Sequence, residues 1–107
     1  MIQAGFVLAA IGSLKQATIR FANQKTSQWL DEKFETLVLN GTLSIHRMHL
    51  HIAIADSQGN IMGGHVDNGC IIYTTAEIII GEILDLLFLR TLDEKTGFLE
   101  LDIRKRS

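Results

Sequence analysis

Apolar and polar residues alternate with a period of two between Met48 and Ala55, which is the pattern of a β-strand with one buried face. The apolar positions, among them Ile52 and Ile54, share one face. His49 and His51 share the other face, because side chains two residues apart on a strand point the same way. The pattern therefore predicts a half-buried strand that carries two histidines on its polar side.

A cluster of turn-forming residues follows this strand, between Asp56 and Asn60. The three residues inside it end in a glycine and suit a type I turn closed by a glycine bulge, a common hairpin connection. In that register His51 faces His65 across the hairpin, and directly opposed Cβ atoms lie about 4.5–5.5 Å apart. The sequence therefore predicts a hairpin over 47–66 with histidines on both strands.

These histidines are candidate metal ligands. Because His49 lies about 6.6 Å along its strand from His51, the imidazoles of His49, His51 and His65 can reach one ion. Three neutral histidines with a fourth position open to water are typical of a catalytic zinc site. Two alternatives stay open. The histidines could be only the polar face of a ribbon, or the pair Gly63-Gly64 could form a bulge that turns His65 away.

The rest of the chain reads as short strands separated by turn signals, without a proline anywhere. Strands are predicted over 6–11, 18–21, 34–45 (with a turn or bulge at 40–41), 70–73 and 98–103. The segment 76–90 fits either a buried helix or two strands around Gly81, because its isoleucines favour strand and its leucines favour helix. Turn signals between so many short strands indicate a mainly antiparallel β domain.

The composition is that of one globular domain over 1–107, with 47% hydrophobic and 21% charged residues. The formal net charge is −2, so no global positive field attracts nucleic acid or an anionic membrane. No uncharged apolar run reaches the roughly 18 residues that span a bilayer. The single cysteine excludes an internal disulfide and fits a reducing compartment, so we expect a cytoplasmic protein without membrane association.

Several ordered motifs, spread over essentially the whole chain, resemble the plant-and-prokaryote-conserved (PPC) domain. The motifs are Ala10-Ile11-Gly12-Ser13, Lys33-Phe34-Glu35, Gly63-Gly64-His65, Tyr73-Thr74-Thr75-Ala76-Glu77-Ile78 and Phe88-x-Arg90-x-x-Asp93-x-x-Thr96-Gly97-Phe98-x-Glu100-Leu101. The resemblance implies an α+β fold with a mainly antiparallel sheet and little helix, assembled as a homotrimer. In some prokaryotic members a His-x-His pair and the histidine of Gly-Gly-His hold a divalent metal, usually taken as zinc. Those positions match His49, His51 and His65.

The same resemblance implies two possible roles. Plant members combine the domain with an AT-hook and regulate transcription, while stand-alone prokaryotic members carry a DNA-binding label without an established activity. The chain has no Arg-Gly-Arg-Pro hook, so a nucleic-acid partner rests on family analogy alone. We therefore expect a trimeric metal-binding module with a DNA-associated regulatory role, and the alternative is a zinc-dependent enzyme that uses the open three-histidine site. The family's usual first strand and helix are expected to be missing before the segment 3–12.

Other residues are candidates on weaker patterns. Glu77 could orient a ligand histidine or act as general base on metal-bound water, or it could be a solvated glutamate. Cys70 is either a fourth ligand or, as we expect, a small buried residue. Arg90 and Asp93 are expected to form a structural pair near a turn, with a role in substrate binding as the less favoured alternative. Arg20 alternates with apolar neighbours and is expected on the solvent face or at a subunit contact in preference to a role as a phosphate ligand.

Overall fold

Eight β-strands form the chain, and no residue is helical in the computed structural model, which describes all 107 residues. The strands are β1 Ala4–Arg20, β2 Gln28–Leu30, β3 Phe34–Ser44, β4 Met48–Ala55, β5 Ile61–Val66, β6 Ile71–Glu82, β7 Leu86–Leu92 and β8 Leu99–Lys105. The mainly antiparallel prediction is confirmed. The α+β class is wrong, because the structure contains no helix.

The long strand β1 is the centre of the fold. Along one edge it pairs with β3 and then β2, and along the other edge with β6 and then β5, all antiparallel. Because β3 also pairs with β4, and β4 with β5, the four strands β1, β3, β4 and β5 close into a ring. This small barrel places β4 and β5, the strands of the histidine hairpin, in a fully hydrogen-bonded wall.

Apolar side chains that point into the ring form the core. Ile19 of β1 and Ile54 of β4 are fully buried. The buried cluster consists of Leu14, Ala17, Ile19, Phe34, Ile52 and Ile54. Since neighbouring residues on a strand face opposite sides, burial of Ile52 and Ile54 turns His49 and His51 to the outside of the barrel.

Two predicted boundaries differ from the structure because strand pairing overrides local signals. The segments 6–11 and 18–21 belong to one strand, and Gly12 between them is paired on both edges, with Thr36 and with Ala76. The ambiguous segment 76–90 lies in two strands: β6 ends at Glu82, and β7 begins at Leu86 after the turn at 83–85. Its leucines prefer helices only weakly, and the β7–β8 ladder outweighs that preference.

The strands β7 and β8 form a separate two-stranded ribbon that packs against β1 and β3. Phe88 of β7 is buried, and its backbone N–H donates to the Gln3 carbonyl at 2.8 Å. The Phe88 carbonyl in turn accepts from the N–H of Ile45 at 3.2 Å, just after β3. These contacts fix the ribbon against the end of the barrel and bring the next residues of β7 close to the start of β4.

Every residue of β6 except Gly81 is exposed, although most of the strand is apolar. β6 pairs with β1 along one edge and has no partner on the other. The exposed apolar side chains there are Ile71, Ile72, Tyr73, Ile78, Ile79 and Ile80, and Leu8 and Ile11 of β1 are 67% and 66% exposed beside them. We call these eight residues the β6 surface. The structure has no helix of the length and apolarity needed to span a membrane.

Candidate metal centre

The β4–β5 hairpin has the predicted register. Ala55 pairs with Ile61, and His51 pairs with His65. The Asp56 carbonyl accepts from the N–H of Gly59 at 3.0 Å, and Gly59 has φ 83°, which together make a type I turn closed by a glycine in the left-handed region. One carboxylate oxygen of Asp56 also accepts from two N–H groups of the loop, both at 2.9 Å. The turn chemistry therefore fixes which residues face each other.

The glycine pair before His65 forms no bulge. Both residues are in regular pairing with β4, opposite Ala53 and Ile52. A Cβ on Gly63 would lie 2.2 Å from the Ile52 carbonyl oxygen, and one on Gly64 would lie 2.5 Å from the carbonyl oxygen of Arg20. The glycines thus allow β5 to approach β4 on one side and β1 on the other.

The three predicted histidines converge on the outer face of the barrel. The ring centroids are 5.2 Å apart for His49 and His51, 5.2 Å for His49 and His65, and 5.7 Å for His51 and His65. One ligand nitrogen from each ring lies within 4.8 Å of the other two. A tetrahedral zinc ion needs nitrogens about 3.3 Å apart, given bonds of about 2.0–2.1 Å. Small side-chain rotations close that difference.

The environment favours the neutral forms of His49 and His65, and a histidine that binds a metal must be neutral. Burial lowers the pKa of His49 from its ordinary value, and the nearby charges of Arg90, His51 and His65 lower it further. Burial also lowers the pKa of His65, followed by the charges of Arg20 and His51. In addition, His65 Nδ1 is buried without a hydrogen-bond partner. A ring nitrogen that is buried without a hydrogen-bond partner is compatible with a metal ligand.

Two arginines flank the cluster. Arg20 is the direct partner of His65 in the β1–β5 ladder, so their side chains leave the barrel on the same face. Arg90 reaches across from β7, and its Nη2 donates to Thr42 Oγ1 at 2.9 Å. Thr42 is the direct partner of His49 in the β3–β4 ladder. A cationic group thus lies on each side of the three histidines.

The predicted pair of Arg90 and Asp93 does not form. The two ion pairs of the chain join Arg104 to Asp102 and Arg106 to Glu82. Asp93 instead organises its own turn, where its carboxylate accepts from the Lys95 N–H at 2.8 Å. The prediction was wrong because the Asp93 carboxylate bonds within its own turn and the Arg90 side chain bonds to Thr42. Sequence reasoning therefore missed the position of Arg90 beside the histidines.

Glu77 and Cys70 lie away from the cluster. Glu77 is exposed on β6 and pairs with Ile11, whereas His65 pairs with Arg20, nine residues further along β1. At about 3.3 Å a residue, these positions are about 30 Å of strand apart. Cys70 packs against the barrel core, and its Sγ accepts from the Thr18 N–H at 3.4 Å. The structure brings together the three histidines and not these two residues.

Comparison with known proteins identifies relatives of the whole region. Residues 1–84 match the family model of the Plants and Prokaryotes Conserved (PCC) domain, the family that the motifs resemble. The bifunctional protein GlmU of Synechococcus sp. strain JA-3-3Ab is 52% identical over 104 residues, 97% of this chain and 17% of that protein. GlmU of strain JA-2-3B'a(2-13) is 48% identical over 103 residues, 96% of the chain and 16% of the relative. The chain thus spans about a sixth of these curated relatives.

Solved structures share the fold. A hypothetical protein from Salmonella enterica superposes with a TM-score of 0.96 at 38% identity, over 99% of this chain and 77% of that one. A protein from Bacteroides thetaiotaomicron, provisionally described as DNA-binding, has a TM-score of 0.75 at 26% identity, over 94% and 73% of the two chains. A protein from Archaeoglobus fulgidus described as metal-containing has a TM-score of 0.71 at 25% identity, over 94% and 74%.

Proposed function

The chain belongs to the Plants and Prokaryotes Conserved (PCC) domain family, and from this premise we propose that it is a metal-binding module with His49, His51 and His65 as ligands. The convergence of three ligand nitrogens within 4.8 Å carries the proposal. Zinc is the metal we propose, because neutral imidazoles are among its preferred ligands. The metal-containing description of the Archaeoglobus fulgidus protein supports the proposal.

Each strand has a definite task in this proposal. β4 supplies His49 and His51 from one face, and the hairpin register sets His65 opposite His51. The ladders hold the three Cβ atoms, so that binding requires only side-chain adjustment. When bound, zinc would act as a Lewis acid with one coordination position left for water or another ligand.

Metal analysis of the purified chain tests the proposal. We expect one zinc for each chain in the wild type and none in His65→Ala, with the β-sheet circular dichroism of the two proteins unchanged. His46→Ala is the matched control, because His46 is the fourth histidine of the chain and lies outside the cluster. Unchanged zinc in His65→Ala, or equal loss in His46→Ala, would contradict the ligand set.

We also propose that the chain works as a homotrimer. The family resemblance implies this state, and the β6 surface supports it, because eight exposed apolar residues on two paired strands are an unusual feature for a chain that stays monomeric. The unpaired edge of β6 adds free N–H and C=O groups that a neighbouring subunit would cover.

For the biological role, we propose a regulatory module associated with nucleic acid, and the description of the Bacteroides thetaiotaomicron protein supports it. With a net charge of −2, the chain as a whole does not attract the phosphate backbone of nucleic acid. The second candidate is a zinc-dependent enzyme. The donor set favours it, because three protein ligands leave a position where a substrate could bind.

A further inference from the structure

We propose that the open position of the histidine cluster takes a terminal phosphate group, bound by the metal together with Arg20 and Arg90. This inference rests on the proposed metal binding and adds a ligand class to it. It starts from a charge imbalance: two guanidinium groups lie beside a site that would already hold a divalent cation, and neither has a carboxylate partner in the chain.

Arg20 forms one wall of the proposed phosphate site. Ile19 before it is fully buried in the barrel, so Arg20 points outward, and its direct ladder partner is His65. Directly opposed Cβ atoms lie about 4.5–5.5 Å apart, and the arginine side chain is longer than the imidazole. The Arg20 guanidinium makes no hydrogen bond or ion pair within the chain. It is therefore free to turn over the cluster.

Arg90 forms the opposite wall, next to His49. Two contacts hold it there: its N–H donates to His46 Nδ1 at 3.2 Å, and its Nη2 donates to Thr42 Oγ1 at 2.9 Å. Only the contact with Thr42 uses the guanidinium, because the donor to His46 is the backbone N–H of Arg90. Its Nε is buried and has no hydrogen-bond partner, an arrangement that costs free energy unless a ligand supplies an acceptor.

The acidic groups near the cluster are already engaged. Asp67 faces His65, and its carboxylate accepts from Ser27 Oγ at 2.6 Å and from the adjacent Asn68 N–H at 2.9 Å. Glu100 faces His49, and its carboxylate accepts from Thr96 Oγ1 at 3.3 Å. Neither carboxylate contacts Arg20 or Arg90. An external anion is therefore the group that completes the site.

The number of groups that would contact the anion distinguishes a phosphate from a carboxylate. A metal ion and two guanidinium forks approach from three directions, and planar guanidinium groups favour bidentate contact with an oxyanion. A carboxylate has two oxygens and cannot serve all three partners well. A phosphate monoester presents three unesterified oxygens and two negative charges, so it can bridge the metal and both arginines. The ligand class is therefore a small molecule or ion with a terminal phosphate.

Cobalt-substituted protein allows a direct test that does not depend on any activity. The visible absorption of the cobalt(II) chain is followed while inorganic phosphate or acetate is added in a non-coordinating buffer. We expect a saturable spectral change with phosphate and an affinity for acetate weaker by about tenfold or more. Arg20→Gln and Arg90→Gln should each weaken phosphate binding by about ten- to a hundredfold without lowering the metal content.

The control is Lys105→Gln, which removes one positive charge from β8 four residues beyond Leu101, the ladder partner of Arg90. We expect this variant to bind phosphate like the wild type. Cobalt bound at one ion for each chain without any response to phosphate would overturn the phosphate site and leave the metal site standing. Failure to bind cobalt or zinc at all would overturn both proposals.

A phosphodiester distinguishes a terminal phosphate from a nucleic-acid backbone. A dinucleotide without a terminal phosphate offers two unesterified oxygens and one charge, so we expect it to bind at least about tenfold more weakly than inorganic phosphate. Equal or tighter binding of the dinucleotide, with the same dependence on Arg20 and Arg90, would overturn the terminal-phosphate assignment in favour of a nucleic-acid ligand.

Discussion

His51 and His65 are direct partners in the β4–β5 ladder, and their ring centroids lie 5.7 Å apart. This opposition depends on the three-residue loop at Gly59, since a shift of one residue would send every side chain of β5 to the other face. Met62 and Val66 of β5 pack against the core and oppose such a shift, because they would have to leave it. The histidine cluster is therefore a product of the same register that builds the barrel.

Closure of the barrel beside the cluster depends on Gly64, which gives the first prediction. In Gly64→Ala the new methyl group would lie 2.5 Å from the Arg20 carbonyl oxygen. Since backbone must move to admit it, we expect a loss of about 1–3 kcal/mol of unfolding free energy. We also expect zinc affinity to fall, because His65 moves with β5. Urea unfolding and competitive zinc titration measure the two effects.

Gly59→Ala is the control for that substitution. It has open space around the new Cβ but a φ of 83°, so it should cost about 1–2 kcal/mol through backbone conformation alone. We expect its zinc affinity to stay near that of the wild type. An equal loss of zinc affinity in both variants would mean that general destabilisation, and not the β1–β5 contact, controls the site.

The histidines also predict how the metal-free protein responds to acid. The pKa values of His49 and His65 are lowered from 6.5 by burial and neighbouring positive charge. As the pH falls through 6.5, the unfolded chain takes up protons that the folded chain does not. The free energy of unfolding should therefore decrease, and the decrease should end below the folded-state pKa values.

Urea unfolding of the metal-free chain between about pH 7.5 and pH 5 measures this response, in the range where histidines titrate. In the double variant with His49→Gln and His65→Gln, we expect a smaller loss of stability over the same interval. A wild-type stability that rises on acidification would contradict the sign of the pKa shifts.

The β6 surface predicts the outcome of sedimentation experiments. The wild type should sediment as a trimer, and Ile79→Lys should shift it towards the monomer with the sheet intact. The reason is that Ile79 is 58% exposed in the single chain, so lysine disturbs an interface and not the core. Ile61→Lys on β5, outside the β6 surface, is the matched control, with 67% exposure, and should remain trimeric. A monomeric wild type at micromolar concentration would refute the assembly.

Binding to duplex DNA is expected to be weak and confined to low salt. Ten Lys and Arg residues against twelve Asp and Glu residues leave few phosphate contacts for the chain to make. Filter binding over a range of salt concentrations gives the slope that counts such contacts. Retention at physiological salt with a steep slope would show a concentrated basic surface and would favour the nucleic-acid role.

Local turn chemistry explains why the hairpin could be predicted from the sequence. Gly59 and Asp56 specify a loop of defined length, and the period-two pattern of β4 then places His49 and His51. The loop length then sets the register of the hairpin, and this register pairs His51 with His65. Such contacts involve few residues between the partners, so sequence patterns are enough to find them.

Long-range pairing explains what the sequence did not reveal. Arg20 meets His65 only because β5 closes on β1, and Arg90 reaches Thr42 only because the β7–β8 ribbon packs at the end of β3. The absence of helix has a similar cause, since the leucines of β7 are held by β8. The alternation of Arg20 with the buried Ile19 predicts that Arg20 points out of the barrel. It does not predict that β5, with His65, is the neighbouring strand.

The central claim is that three histidines hold one zinc ion, and a crystal structure of the zinc-loaded chain tests it most directly. Anomalous diffraction at the zinc edge should show a single peak within about 2.0–2.1 Å of one nitrogen from each of His49, His51 and His65. A peak elsewhere, or a zinc-loaded crystal with no peak among these three rings, would contradict the claim.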